Sequence, residues 1–326
     1  MKKYLLFLAF IITVGVNAQN KISLEDVWVK YTFRQAIPDG YNAMNNGLHY
    51  TDLEKAGDFF DLVKYEIKTG KKVEVLVKGE DVKFNGKTIS LEGYEFSPDE
   101  SNIILSKESD HIYRRSSKSN NYIFDIKAKK LTELSSQGKQ MFPTFSSDSK
   151  KVAFVRDNNL FYKNLETNEE VQVTTDGANN KIKNGWADWV YEEEFSRANY
   201  FDWSEDGKYL AFIRWDESNV KEYSMDMYNG GLYPEDVTFK YPKAGEDNSV
   251  VSVHIYDVAS KKTVTADIGT EKDIYIPRIT WASGQNLCIQ RMNRLQNKIE
   301  LLFANAVTGA SKVILTEEAK TYIDIT

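Results

Sequence analysis

The chain has 326 residues, a formal net charge of −6 at neutral pH, 13% aromatic residues and a single cysteine, Cys288. One cysteine excludes an internal disulfide framework, so the fold must rest on packing, for which this length suffices. The acidic balance argues against nucleic acid or an anionic membrane as partner, and the absence of low-complexity tracts describes an ordered globular chain.

The first residues, "MKKYLLFLAFIITVGVNAQN", place Lys2 and Lys3 before an apolar run from Leu5 to Val16, followed by the short side chains of Asn17 and Ala18. This is the pattern of a secretory signal peptide over residues 1–18, with a mature chain beginning near Gln19. The run is too short for a membrane span, and no cysteine follows it to carry a lipid. Export to the periplasm or cell surface is the expected address.

From about Asp81 the sequence reads as short strands between turns. "KKVAFVR", "NLFYKNL" and "EEVQVTT" succeed one another between Lys150 and Thr175. Branched and aromatic residues alternate with polar ones inside these runs, and no long helical stripe competes. The runs also repeat. "EFSPDESNIILS", "TFSSDSKKVAFV", "DWSEDGKYLAFI" and "TWASGQNLCIQR" each set an aromatic and a small residue before a polar turn and an apolar strand. The aromatics Phe96, Phe145, Trp203 and Trp281 stand 49, 58 and 78 residues apart. Such a period predicts an all-β fold, a β-propeller of four-stranded blades. At about 45 residues per blade the mature chain makes roughly six. Residues 19–80 read as an N-terminal segment and a first, poorly formed blade, and 81–326 as the remaining blades. The last interval holds an insertion at about 220–249, "KEYSMDMYNGGLYPEDVTFKYPKAGEDNS", too long for a tight loop and expected to project. The final "EEAKTYIDIT" reads as the entry to another blade. An open propeller would expose a sheet edge, so the chain is expected to be part of a longer one.

The stretch that asks for chemistry is "NGWADWVYEEEF", Asn184 to Phe195. An exposed acidic turn is the plain explanation of its three glutamates, since charge runs usually face solvent. A calcium loop is disfavoured, because the D-x-D-x-D-G spacing is missing, and no other cofactor or metal is called for. Carboxylates packed together repel unless a cation sits between them. A peptide α-ammonium, with a pKa near 8, is such a cation, and each charge-assisted hydrogen bond to it is worth about 1.5–3 kcal/mol. Trp186, Trp189 and Tyr191 would stiffen the segment, Trp189 from the blade core.

"DWVYEEEF", followed by "DWSEDGKYLAF" and "YPKAGEDN", closely resembles the propeller domain of dipeptidyl peptidase IV, among the prolyl oligopeptidase-like serine exopeptidases. The likeness runs from about Ser23 to the last residue. It implies that Glu193 and Glu194 bind the free amine of a peptide substrate, with Glu192 in support. An arginine of that family binds the carbonyl of the substrate's second residue. In "YRRSSKSNNYIFDI" the matching position is Arg114, with Arg115 its rival. The resemblance further implies release of X-Pro or X-Ala dipeptides, a C-terminal α/β-hydrolase domain beyond Thr326, and homodimerisation through the insertion.

The nucleophile is missing from the sequence. No G-x-S-x-G elbow occurs, and His49, His111 and His254 read as ordinary blade residues without a serine or aspartate setting. Two readings follow. In the first, the chain selects substrate for an exported serine dipeptidyl peptidase and is inactive alone. In the second, it is a non-catalytic module binding peptide N-termini.

Overall fold

The computed structural model describes residues 21–35, 41–91, 93–282 and 285–325. The signal-peptide reading lies outside them. Two units are distinguished, residues 1–41 and 42–326. In the first, α1 (Leu24–Trp28) is opened by a capping box: the Asp26 N–H donates to Ser23 Oγ and the Ser23 N–H to Asp26 Oδ2. Two donors that a helix start leaves orphaned are thereby satisfied, although no residue of α1 is buried.

The second unit is built of antiparallel strands. The first sheet holds β1 (Asn42–Ala43), β2 (His49–Ala56), β3 (Phe59–Glu66) and β4 (Lys72–Val77), and a small ribbon of β5 (Lys83–Phe84) and β6 (Lys87–Thr88) follows. The second holds β7 (Glu95–Phe96), β8 (Asn102–His111), β9 (Ser117–Asp125) and β10 (Lys130–Glu133). The third holds β11 (Met141–Phe145), β12 (Lys151–Arg156), β13 (Asn159–Asn164) and β14 (Glu170–Gln172). In the fourth, β15 (Ile182–Asn184) and β16 (Phe201–Trp203) both pair with β17 (Tyr209–Asp216). Two strands of the insertion, β18 (Glu222–Met227) and β19 (Glu235–Lys240), form a separate ribbon before β20 (Val250–Asp257) and β21 (Lys262–Thr265) complete that sheet. The fifth holds β22 (Ile274–Trp281), β23 (Asn286–Asn293), β24 (Lys298–Asn305) and β25 (Ser311–Glu318).

These are propeller blades, and the described residues form five of them, not roughly six. The wide interval before Trp281 is filled by the β18–β19 ribbon, whose residues belong to no blade. The first sheet is also more regular than its sequence suggests, with β2 and β3 paired over all eight residues. Its outer strands are largely exposed, which is why no strong apolar alternation marks them.

The repeated motif has a physical cause. Ser97, Ser146 and Ser204 each donate a hydroxyl hydrogen to the aspartate two residues on, Asp99, Asp148 and Asp206. Each serine Oγ also accepts the N–H five residues on, from Asn102, Lys151 and Tyr209. The turn into the next strand is thus held by one side chain. The fourth repeat has Ala282 at the serine position, and there a backbone bond runs from Ala282 N–H to Asn286 O. Between β12 and β13, Asp157 and Asn158 both take positive φ, the two-residue hairpin turn whose twist matches the strands. Strand β12 is buried along its whole length because neighbouring sheets cover both its faces, which blunts its alternation.

His254 differs from the sequence reading. Its Nε2 lies 2.8 Å from Ser252 Oγ and its Nδ1 3.2 Å from Thr265 Oγ1, with the ring stacked on Phe212. Residues i and i+2 share a face of a strand, so β20 itself brings the serine to the histidine. Burial, assisted by the Arg214 charge, pulls the His254 pKa down to about 4. The unfolded chain therefore binds this proton more readily between about pH 6.5 and 4, and stability falls as pH drops through that window. Replacing His254 by Gln is expected to remove about 3 kcal/mol of that fall, read as the pH dependence of the urea midpoint against wild type.

Candidate functional site

The glutamates lie on a helix, not in a loop. After β15, Gly185 turns the chain at φ +78, where an added Cβ would meet Phe201 and Leu160 at 3.2 and 3.3 Å. Asp188 then caps α2 (Trp189–Glu194), its Oδ1 accepting the Tyr191 N–H at 2.9 Å. Asp188 Oδ2 accepts the Ser249 hydroxyl at 2.6 Å. Burial pushes the Asp188 carboxyl pKa up, against these two hydrogen bonds. The helix ends at Phe195, and Ser196 takes φ +55.

Helical geometry turns successive side chains by about 100°, so three adjacent glutamates face three directions. Glu192 points inward and is 1% exposed. Its Oε1 accepts the Arg115 backbone N–H at 2.5 Å, while Oε2 has no hydrogen-bond partner among the described residues. Glu193 pairs with Arg114 through both oxygens, Nε–Oε2 at 3.0 Å and Nη2–Oε1 at 2.8 Å. The Glu194 side chain is exposed and makes no hydrogen bond or ion pair among the described residues. It borders a different hollow, with Phe195, Gln296 and the segment from Tyr322 to Ile325.

The two arginines occupy the tip of the β8–β9 hairpin, which Ile112 N–H closes onto Ser116 O. Sequence alone left them interchangeable, but their contacts differ. Arg114 reaches the Glu193 carboxylate, whereas Arg115 donates from Nη1 to Glu192 O at 3.4 Å and from Nη2 to Ser196 Oγ at 3.2 Å. Arg115 therefore fastens the hairpin tip to the end of α2. A hollow of about 320 Å³ is bounded by Tyr113, Arg114, Trp189, Glu192 and Glu193.

Trp189 is a correction. It is half-buried at the rim of this hollow, 4.2 Å between ring centroids from Tyr241, and is not blade core. Tyr191 takes the core place instead. It is 1% exposed, with edge-on contacts to Phe195, Tyr200, Trp215 and Tyr275. Its hydroxyl accepts the Ile276 N–H of β22 at 2.9 Å. Helical spacing places residues 189 and 191 on different faces, so only one of them can enter the core.

Beneath the hollow lies a buried ion pair that the sequence does not announce. Lys183 Nζ stands 3.6 Å from Glu217 Oε2, and lies over the rings of Trp186 at 4.1 Å and Tyr113 at 5.4 Å. Burial raises the Glu217 carboxyl pKa, and Lys183 opposes that shift. Neither residue stands in a motif, and a charge in a strand or loop ordinarily reads as surface. No cluster of three or more metal-ligating side chains occurs among the described residues.

The family whose model matches, over residues 97–326, is described as the dipeptidyl peptidase IV (DPP IV) N-terminal region. The dipeptidyl-aminopeptidase B of Aspergillus niger is 33% identical over 267 residues, which cover 76% of this chain and 30% of that protein. The prolyl endopeptidase FAP of Mus musculus is 31% identical over 219 residues, covering 65% and 29%. A crystal structure of Porphyromonas gingivalis dipeptidyl peptidase 4 superposes with a TM-score of 0.87 at 39% identity. That match covers 94% of this chain and 43% of the other, and the chain spans less than a third of these curated relatives' length.

Tyr191→Phe isolates the bond that ties α2 to β22. It keeps the ring packing and leaves the buried Ile276 N–H without its acceptor. The expected loss is about 1–3 kcal/mol of stability, measured by urea unfolding.

Proposed function

This chain belongs to the family of the dipeptidyl peptidase IV N-terminal region, a peptidase family, and on that footing we propose that it selects substrates for a serine-type dipeptidyl peptidase. The observation that carries this reading is the two-point pairing of Arg114 with Glu193 across 79 residues of sequence. It sets a carboxylate and a guanidinium side by side at one hollow, an arrangement suited to the two ends of a peptide's first residues.

In this reading the substrate's α-ammonium is held by Glu193 and by Glu194, whose carboxylate has no partner among the described residues and is open to a cation. Arg114, 67% exposed at its side chain, turns part of its guanidinium to a substrate carbonyl. The carboxylates then act as a ruler. With the N-terminus fixed, the second peptide bond is the one presented to a nucleophile, so binding becomes orientation. Glu192 and Arg115 keep helix and hairpin tip together, and Tyr191 and Trp189 fix the helix from its two sides.

Acyl transfer is assigned to a hydrolase domain C-terminal to Thr326, which would supply the serine, aspartate and histidine and the pocket for the penultimate Pro or Ala. Export follows from the signal-peptide pattern of residues 1–18, with the protein in the periplasm or at the cell surface. The insertion ribbon is proposed as a homodimer contact. It exposes Leu232 and Tyr233 at its tip, by 87% and 81%, apolar side chains that a second subunit would cover.

The test is cleavage of a Gly-Pro chromogenic substrate by the full-length gene product, beside Glu193→Gln and Glu194→Gln. Each substitution removes one charge-assisted contact and is expected to lower kcat/KM roughly 10- to 100-fold. Cleavage that survives both changes would remove these glutamates from the mechanism. A folded product that binds amine-bearing peptides without cleaving them would favour the non-catalytic module.

A further inference from the structure

We infer that the return segment of the insertion, Phe239 to Ser249, positions the glutamate helix, with Tyr241 and Ser249 as its two points of grip. The inference rests on the amine-binding reading above and assigns the insertion a role at that site beyond any contact its tip makes.

The burial of the insertion changes along its length. Residues 222–233 and 235–238 are exposed, and partial burial becomes continuous from Phe239 to Pro242. That root closes on itself through Tyr241 N–H to Lys221 O and Lys240 Nζ to Val220 O, both at 2.9 Å. It then meets both halves of the site. The Tyr241 ring packs on Trp189, the first residue of α2, with centroids 4.2 Å apart. The Phe239 ring lies 5.9 Å from Tyr113, the residue before Arg114. Eight residues beyond Tyr241 the segment touches the helix again. Ser249, 3% exposed, donates its hydroxyl to Asp188 Oδ2, the second oxygen of the capping carboxylate. Between these contacts Asn248 donates to the Tyr275 hydroxyl at 2.8 Å.

A six-residue helix does not hold its own direction, since isolated helices below about 12 residues are marginal in water. Where Glu193 points is therefore decided by the Tyr191 anchor in the core and by what grips the ends of α2. Arg115 grips the C-terminal end. The N-terminal end is gripped by Tyr241 on Trp189 and by Ser249 on Asp188. Because Phe239 and Tyr241 lean on the arginine turn and the helix together, the segment also sets the spacing between Arg114 and Glu193. Tyr241 and Ser249 are positioning residues, and they touch no substrate.

The experiment compares binding of the dipeptide Gly-Pro with its N-acetyl twin by calorimetry, in full-length wild type, Tyr241→Ala, Tyr241→Phe and Ser249→Ala. The preference for the free amine is the readout, because a merely structural loss lowers the folded fraction without changing that ratio. Wild type is expected to prefer the free amine. Tyr241→Ala and Ser249→Ala should each lose about tenfold of the preference, the scale of one charge-assisted contact, while Tyr241→Phe keeps it. If Tyr241→Ala does not fold, Tyr241→Leu is read in its place. Full preference in the folded Ala or Leu variant together with Ser249→Ala overturns the positioning role and leaves the amine reading standing. A wild type that binds both dipeptides equally overturns the amine reading, and this inference falls with it.

Discussion

Tyr191 is packed among aromatic rings and its hydroxyl accepts a backbone N–H of the next sheet, and the geometry of the site follows from that anchorage. The ring sits in the core cluster that joins the fourth and fifth sheets, with Tyr200, Trp215 and Tyr275 around it. Burying a large ring is worth about 1.5–3 kcal/mol, and edge-on aromatic pairs add to this. With Tyr191 fixed inward and both ends of α2 held, the next three residues are aimed in set directions. Glu192 is carried under the hairpin tip, Glu193 to Arg114 and Glu194 to solvent.

Charge is distributed across the site by depth. At the surface, the Arg114–Glu193 pair is partly solvated and contributes little to stability. In the interior, Lys183 and Glu217 stand nearly dry, and the desolvation of such a pair rivals its attraction. Removing either partner would leave the other as a buried lone charge. The pair constrains the packing of Trp186 and Tyr113 below the hollow more than it strengthens the fold. Asp188 adds a second constraint of the same kind, since one carboxylate caps the helix with one oxygen and holds Ser249 with the other.

The fold was legible to the extent that its cause is local. Serine and aspartate in "FSPD", "FSSD" and "WSED" close their own turns, so the repeat could be read directly. The number of blades was not, because a long interval looks alike whether it holds a blade or a ribbon. "DWVYEEEF" marked the site without revealing a helix, since six residues show too little periodicity and the capping of Asp188 is completed by Ser249, 61 residues away. The contrast between Arg114 and Arg115 is likewise invisible in an adjacent pair of identical side chains.

By itself, then, the sequence determined the strand content, the repeating turns and the projecting insertion, because each is written within a few neighbouring positions. Tertiary structure alone decided which arginine meets which glutamate, which aromatic is buried and what holds the helix. Those outcomes depend on contacts between residues roughly 50 to 85 positions apart, as with Arg114 and Glu193 or Tyr191 and Ile276. Side chains that distant meet only after the sheets have packed, and no local pattern encodes their meeting.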